Sequence, residues 1–176
     1  MAEAVVKALI RDVPDFPKPG IVFKDITPVL ADPAAFEAAL GAMVAPFADM
    51  GVTKVAGIEA RGFMFAAPIA RLLDAGFVPI RKPGKLPLAT VSQEYDLEYG
   101  TDSIEVHADA FHPGENVLIV DDVLATGGTA AASIALVQKL GAVVVGLSVL
   151  LELEFLDGRS RIDGVPVHAL VVDGAG

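Results

Sequence analysis

The thirteen residues Val117–Thr129, VLIVDDVLATGGT, restrict what this chain can fold into more than any other stretch. Four apolar residues run directly into two carboxylates, Asp121 and Asp122, and a small, hydroxylated, glycine-rich turn follows. The next segment, AAASIALVQKL, is helical in pattern. This order predicts a strand over Asn116–Asp121 and a helix over Thr129–Leu140, joined as an α/β unit. Free N–H groups in such a turn, together with the positive end of the helix, favour an anion such as phosphate. Gly127 and Gly128 lack Cβ atoms, so the backbone can take positive φ and approach an oxyanion closely. Thr126 and Thr129 add hydroxyl donors. Asp121 and Asp122 stand where they can accept hydrogen bonds from a sugar carrying that phosphate. Adjacent side chains on a continuing strand face opposite ways, so both acids reach one sugar only if the strand ends there; otherwise one is a structural strand-end acid. The turn is not a Walker loop, since no Gly-Lys-Ser/Thr follows it, and the chain has no G-x-G-x-x-G fingerprint.

Composition narrows the partners. At 176 residues the chain has the size of one domain and can bury a sizeable core. A net charge of −10 argues against a nucleic-acid binder, which needs clustered Lys and Arg. A small phosphorylated ligand is still accommodated, because a few cations in one cleft suffice. The candidates are Arg61 and the run Arg81, Lys82, Lys85. There is no cysteine, hence no disulfide framework and no thiolate site. The apolar run Ala142–Leu151 is too short for a bilayer and reads as a buried strand. The N-terminus, MAEAVVKALIRDV, is a poor signal peptide and predicts a short amphipathic helix. A cytoplasmic protein without a membrane partner is the expectation.

The rest of the chain alternates between helix and strand. Asp32-Pro33 is a good helix start, predicting a helix to about Met50. Strands are expected at Val55–Ile58, Phe77–Ile80 and Val143–Leu153, with a helix at Phe63–Leu73. The polar segment from Lys82 to Tyr99 predicts an excursion with short antiparallel strands around Thr90–Tyr95 and Ser103–His107. The overall expectation is a largely parallel sheet that binds ligands at the carboxyl ends of its strands. His107, His112 and His168 are too scattered to form a metal site.

Taken with FPKPGIVFKDITPVL (Phe16–Leu30), GIEARGF (Gly57–Phe63), RKPGKLP (Arg81–Pro87) and YDLEYGTD (Tyr95–Asp102), the opening stretch resembles the phosphoribosyl pyrophosphate (PRPP) signature of the type I phosphoribosyltransferases. The set resembles the adenine phosphoribosyltransferase family in particular, from about Asp12 to Glu154. The resemblance implies one domain over 1–176: a mostly parallel twisted sheet flanked by helices, a small N-terminal hood from about 12 to 30, and a flexible catalytic loop from about 82 to 106. It implies that adenine N9 attacks C1 of the PRPP ribose and pyrophosphate leaves.

The resemblance also implies a role for each motif. Ala125, Thr126, Gly127, Gly128 and Thr129 would bind the 5-phosphate, and Asp121 and Asp122 the ribose hydroxyls. Arg61 and Ala60 would bind pyrophosphate, in a turn carrying a non-proline cis peptide between Ala60 and a neighbour. The alternative for Arg61 is a surface arginine at a helix start. Arg81, Lys82 and Lys85 would also serve pyrophosphate, with one of them reaching a neighbouring subunit's site; the alternative is a solvated basic loop. Glu98 would handle the proton near adenine N7 and Tyr99 would close the lid, unless both are exposed loop residues. Phe23 would stack on adenine and the backbone of Val22 and Lys24 would read its edge. Leu153 would cover the other face, or is a plain strand residue. Without the resemblance, FPKPGIVF reads as a proline-rich surface turn. Mg²⁺ is implied, carried by PRPP oxygens rather than by protein ligands, and a homodimer is implied as the assembly. A transferase for another purine is one alternative, although the absence of lysine in LLELEFLDG (Leu150–Gly158) disfavours a 6-oxopurine. A PRPP-binding regulatory protein is the other, although this acidic chain has no room for a basic DNA-binding domain.

Overall fold

The computed structural model describes residues 1–97 and 100–174. In chain order its elements are α1 (Ala2–Leu9), β1 (Arg11–Pro14), β2 (Val22–Asp25), α2 (Thr27–Ala31), α3 (Pro33–Val44), β3 (Lys54–Ile58), α4 (Gly62–Leu72), β4 (Gly76–Ile80), β5 (Thr90–Asp96), β6 (Thr101–His107), β7 (Asn116–Leu124), α5 (Gly128–Lys139), β8 (Val143–Leu153) and β9 (Val167–Asp173). Short 3₁₀ turns lie at Ala45–Phe47, Glu154–Leu156 and Gly158–Arg161. The chain forms two compact units, Met1–Ala42 and Met43–Gly176.

In the second unit, Val117, Leu118, Ile119 and Val120 are completely buried. That burial follows from the position of β7, which lies in the middle of a five-stranded sheet ordered β4-β3-β7-β8-β9. Its pairings with β3 and β8 are parallel, and α4 and α5 pack on the sheet. A central parallel strand covered by helices must be apolar on both faces, which is why VLIV is an unbroken run. Ile134, Leu136 and Val137 of α5 join Val117, Ile119, Leu147 and Val149 in the same core. Each such side chain contributes about 1.5–3 kcal/mol on full burial.

Two predicted boundaries move. The helix expected to reach Met50 ends at Val44 and gives way to the 3₁₀ turn Ala45–Phe47. Pro46 has no N–H for an α-helical bond, and its ring disfavours the α conformation of the residue before it. The strand expected to stop at Asp121 continues to Leu124, because β8 keeps pairing with it through Val123↔Leu151 and Leu124↔Glu152. Pairing with β3 ends at Gly57↔Val120. Beyond Val120, β7 therefore has, among the described residues, a strand neighbour on one edge only. The β9 strand has no counterpart in the sequence reading. The antiparallel pair β5–β6, with Tyr95 opposite Asp102, runs one residue past the loop expected over 82–106, to His107.

In the first unit, Phe16–Gly20 is the turn of a hairpin, while Val22 and Phe23 belong to β2 and pair with β1. Gly20 takes φ +88° and donates its N–H to Asp15 Oδ1 at 2.8 Å. The Phe16–Pro17 bond is cis. The Phe16 and Phe23 rings meet edge to face, with centroids 5.2 Å apart. At the hairpin's other end, Asp25 accepts hydrogen bonds from the Thr27 N–H at 2.9 Å and from Arg11. Bonding to Thr27 and Arg11 lowers the Asp25 pKa from 3.8 to about 2. A depressed carboxylate pKa contributes stability that is complete above the unfolded value and disappears as pH falls through the folded one. The Asp25 contribution is thus present above 3.8 and lost toward about 2, which carboxyl-resolved NMR titration reads directly.

Candidate active site

The winding of the sheet reverses between β3 and β7: one arm runs outward to β4 and the other through β8 to β9. Such a switch point opens a crevice beyond the carboxyl ends of the two strands. The crevice here is a cleft of about 280 Å³ lined by Glu59, Ala60 and Arg61 after β3, Lys82 after β4, and Asp121, Asp122, Ala125 and Thr129 after or within β7. A smaller pocket of about 90 Å³ adjoins it, lined by Asp121 and by Ala125, Thr126, Gly127, Gly128 and Thr129. Asp121, Val123, Ala125 and Thr129 border both cavities.

The pocket's shape comes from the turn. Gly127 takes φ +81° as the residue preceding α5, a conformation that glycine alone adopts without strain. The start of α5 therefore faces the pocket with its unpaired N–H groups. The floor under this turn is supplied from far along the chain. A Cβ on Gly158 would overlap the Ala125 carbonyl oxygen and stand 2.9 Å from the Gly127 nitrogen, and a Cβ on Gly127 would overlap the Gly158 carbonyl. Two glycines thus let two backbone segments touch. Nothing in the local pattern around Gly158 announces this contact.

The two aspartates, adjacent in sequence, have different surroundings. Asp122 is 4% exposed, and Arg61 Nε lies 2.8 Å from its Oδ2. Asp121 accepts the Asp122 N–H at 2.9 Å through Oδ1. Burial, then the charge of Asp122, hold the Asp121 carboxyl well above the usual range, with Arg61 opposing. Both acids border the cleft although β7 does not end between them, because β3 has already stopped and left that edge open.

Glu59 organises the cations. Its Oε2 accepts the Lys82 N–H at 2.7 Å and Arg81 Nε at 3.1 Å, so one carboxylate ties the β3 turn to the β4 turn. The Glu59–Ala60 peptide is cis, at the position expected. Arg81 also stands over the Phe63 ring at 6.0 Å, and it lines neither cavity. Lys82 does line the cleft. Its ammonium meets Asp102 Oδ2 and donates to the Tyr95 hydroxyl at 2.8 Å. Lys85 is exposed and lines neither cavity. Glu105, 7% exposed, accepts the Gly84 N–H at 3.0 Å and the Thr90 hydroxyl at 3.1 Å, clamping the stem of the basic turn.

Val22, Phe23 and Lys24 lie in the hairpin of the first unit, where Val22 is exposed and Lys24 Nζ meets Asp12 Oδ1 at 2.8 Å. Leu153 ends β8 opposite Asp173 and lines neither cavity. Glu98 and Tyr99 lie outside the described residues. Sequence reasoning missed Tyr95, Asp102, Glu105 and Gly158. The first two lie within YDLEYGTD and could have been noticed as polar residues flanking Glu98; Gly158 carried no signal.

The family model described as Phosphoribosyl transferase domain matches residues 38–171. The adenine phosphoribosyltransferase of Myxococcus xanthus is 62% identical over 168 residues, covering 96% of this chain and 91% of its own length. The crystal structure of adenine phosphoribosyltransferase from Rhodothermus marinus superposes with a TM-score of 0.94 at 54% identity, covering 98% of each chain. The Saccharomyces cerevisiae enzyme, complexed with an imino-altritol bisphosphate and adenine, superposes at 0.91 with 38% identity, covering 96% of this chain and 98% of its own. An acid pair on the open edge of β7, a glycine-bearing anion pocket and a cation-lined cleft at the sheet's switch point occur here in a chain of that sequence and shape. The chain belongs to the phosphoribosyltransferases and, within them, to the adenine phosphoribosyltransferase family.

Proposed function

We propose that this protein transfers the phosphoribosyl group of PRPP to N9 of adenine, giving AMP and pyrophosphate in purine salvage. The observation that carries the reading is the joined pair of cavities: an anion pocket of backbone N–H groups and threonines opens, past Asp121, into a cleft lined by Arg61 and Lys82. PRPP has that charge distribution, with one phosphate, a diol and a pyrophosphate in sequence. Ala125, Thr126, Gly127, Gly128 and Thr129 take the 5-phosphate. Asp121 accepts from the ribose hydroxyls, and Asp122 fixes Arg61 while adding negative charge near a ring that turns cationic as the C1–O bond breaks. Arg61 and Lys82 receive the leaving pyrophosphate, with the Ala60 turn beside them. Arg81 holds that turn in place through Glu59, and Lys85 is the exposed cation available to a partner's site.

As N9 bonds to C1, the base loses a proton. Glu98 is assigned to that proton's management and Tyr99 to water exclusion over the reacting atoms. Phe23 stacks on adenine, the backbone of Val22 and Lys24 reads its edge, and Leu153 covers the second face. The edge-to-face packing of Phe16 on Phe23 supports this role by fixing the ring. Residues 12–30 act as a base-binding hood within one functional domain of 1–176.

Among the described residues, no cluster of three or more His, Cys, Asp or Glu is placed to hold an ion. Mg²⁺ would be carried by PRPP's own oxygens, with water completing its octahedron. When bound, the ion neutralises pyrophosphate charge. No helix among the described residues is long and apolar enough to cross a membrane. A cytoplasmic homodimer completes the proposal.

Pyrophosphate release from PRPP and Mg²⁺, with adenine, hypoxanthine, guanine or xanthine offered separately, tests the reading. Release with adenine alone is the expected result. Release with an oxopurine instead would retain the PRPP site and remove the base assignment. PRPP binding without turnover on any base would make the chain a sensor.

A further inference from the structure

The Lys82 ammonium does not line the cleft unattended. It meets Asp102 Oδ2, donates to the Tyr95 hydroxyl at 2.8 Å and lies 5.4 Å from the centre of the Tyr95 ring. The Tyr95 hydroxyl in turn donates to Asp102 Oδ2 at 3.2 Å, and Asp102 Oδ1 accepts the Ser103 N–H at 2.8 Å. Tyr95 and Asp102 are direct cross-strand partners in the β5–β6 ladder. The other face of this arrangement reaches the anion pocket: a Cβ on Gly128 would come within 3.3 Å of Tyr95 Cδ2 and 3.4 Å of the Asp96 carbonyl. One tyrosine therefore touches both the turn that opens α5 and the lysine that lines the adjoining cleft.

The geometry points to Asp102 and Tyr95 as positioning residues that hold Lys82 ready for the pyrophosphate end of PRPP. The inference rests on the PRPP reading of the cleft and assigns to it two residues outside the anion pocket. A free lysine has four rotatable bonds and loses that freedom when it grips an anion. Held by a carboxylate and a hydroxyl, Lys82 has already lost much of it before the ligand arrives. Charge balance favours exchange on binding: pyrophosphate carries more negative charge than one aspartate, so the ammonium can turn toward it while Tyr95 stays bonded to Asp102. Burial disfavours the Lys82 charge, but the bonds to Asp102 and Tyr95 outweigh it and raise its pKa above 10.5. Asp102 is lowered from 3.8, first by Lys82 and then by the Ser103 N–H. The lysine is thus charged at neutral pH.

The test is a double-substitution cycle on the intact chain with D102N, K82A and the pair. Pyrophosphate binding in Mg²⁺ is read by calorimetry, and KM for PRPP and for adenine are read separately. D102N is expected to weaken pyrophosphate binding and raise the PRPP KM by about tenfold while leaving the adenine KM unchanged. In the K82A background the same change is expected to do nothing further, because its effect passes through the lysine. Y95F, which removes the hydroxyl and keeps the ring, should reproduce part of the D102N effect. A D102N chain that melts normally and binds pyrophosphate as before, or more tightly, would overturn the assignment, the latter by making Asp102 a competitor. Equal losses with and without Lys82 would overturn it too. If the unaltered chain releases no pyrophosphate with adenine, the functional reading fails and takes this one with it; unaltered turnover with an indifferent D102N sinks this one alone.

Discussion

Replacing Gly158 with alanine is expected to remove PRPP use while leaving most of the sheet intact. The added methyl would overlap the Ala125 carbonyl oxygen and crowd the Gly127 nitrogen. Both obstacles are backbone, so no side chain can rotate away. The turn from Ala125 to Thr129 must shift, and with it the N–H groups that line the anion pocket. Overpacking of this kind costs about 1–3 kcal/mol of stability. The functional loss should be larger, because misplaced N–H donors fail the phosphate in ground and transition states alike. A fall of at least about a hundredfold in kcat/KM for PRPP, or about 2.7 kcal/mol, is the expected result. Steady-state kinetics beside a thermal melt separates the two effects. A G158A chain that melts lower yet keeps its PRPP KM would show that the turn does not hold the phosphate.

Arg61→Ala should be the most damaging change in the cleft. Arg61 is the counter-charge to Asp122, whose side chain is 6% exposed against 43% for the arginine. Without it, a buried carboxylate is left beside Asp121, which burial and that same neighbour already hold above its usual range. Activity is expected to fall by about a thousandfold, near 4 kcal/mol, from loss of the pyrophosphate contact. Stability should fall by about 1–3 kcal/mol, the lower part of the range for breaking a buried pair, because the arginine is half in solvent. The pH dependence has a definite sign. Carboxyls raised in the folded state bind more protons than in the unfolded state, so their cost is absent below the ordinary carboxylate pKa and grows as pH rises above it. The melting deficit of R61A should therefore shrink on acidification. Adding Asp122→Asn should restore stability without restoring activity. If the pair recovers turnover as well, Arg61 is a structural residue and not a pyrophosphate ligand.

What was legible in the sequence was local. VLIVDDVLATGGT contains, within one strand and one turn, the reasons for a central parallel strand, an anion pocket and a helix start, and β7, the turn and α5 fall within a few residues of expectation. The antiparallel β5–β6 pair was legible for the same reason, being specified by neighbours in the chain, whereas the cis peptide at Glu59–Ala60 was expected from the family resemblance alone. One error was local, the helix end that Pro46 imposes; the others arose where a distant partner decided. β7 runs past Asp121 because β8 continues beside it, while β3, ending at Ile58, leaves the opposite edge open for both acids.

The cations show the division most clearly. Sequence grouped Arg81, Lys82 and Lys85 as one basic run, and composition made them conspicuous in an acidic chain. Their separate fates were set by acids far along the chain: Glu59 takes Arg81, Asp102 takes Lys82, and Lys85 is left exposed. By itself the sequence determined the elements and the chemistry available at each turn, since both depend on propensities and hydrogen-bonding groups within a few residues. Only the tertiary structure decided which charges pair and which face the cleft. Ion pairing and backbone contact act over a few ångströms of space, and β-sheet pairing brings Gly158 to Gly127 and Asp102 to Lys82 across separations that no local pattern encodes.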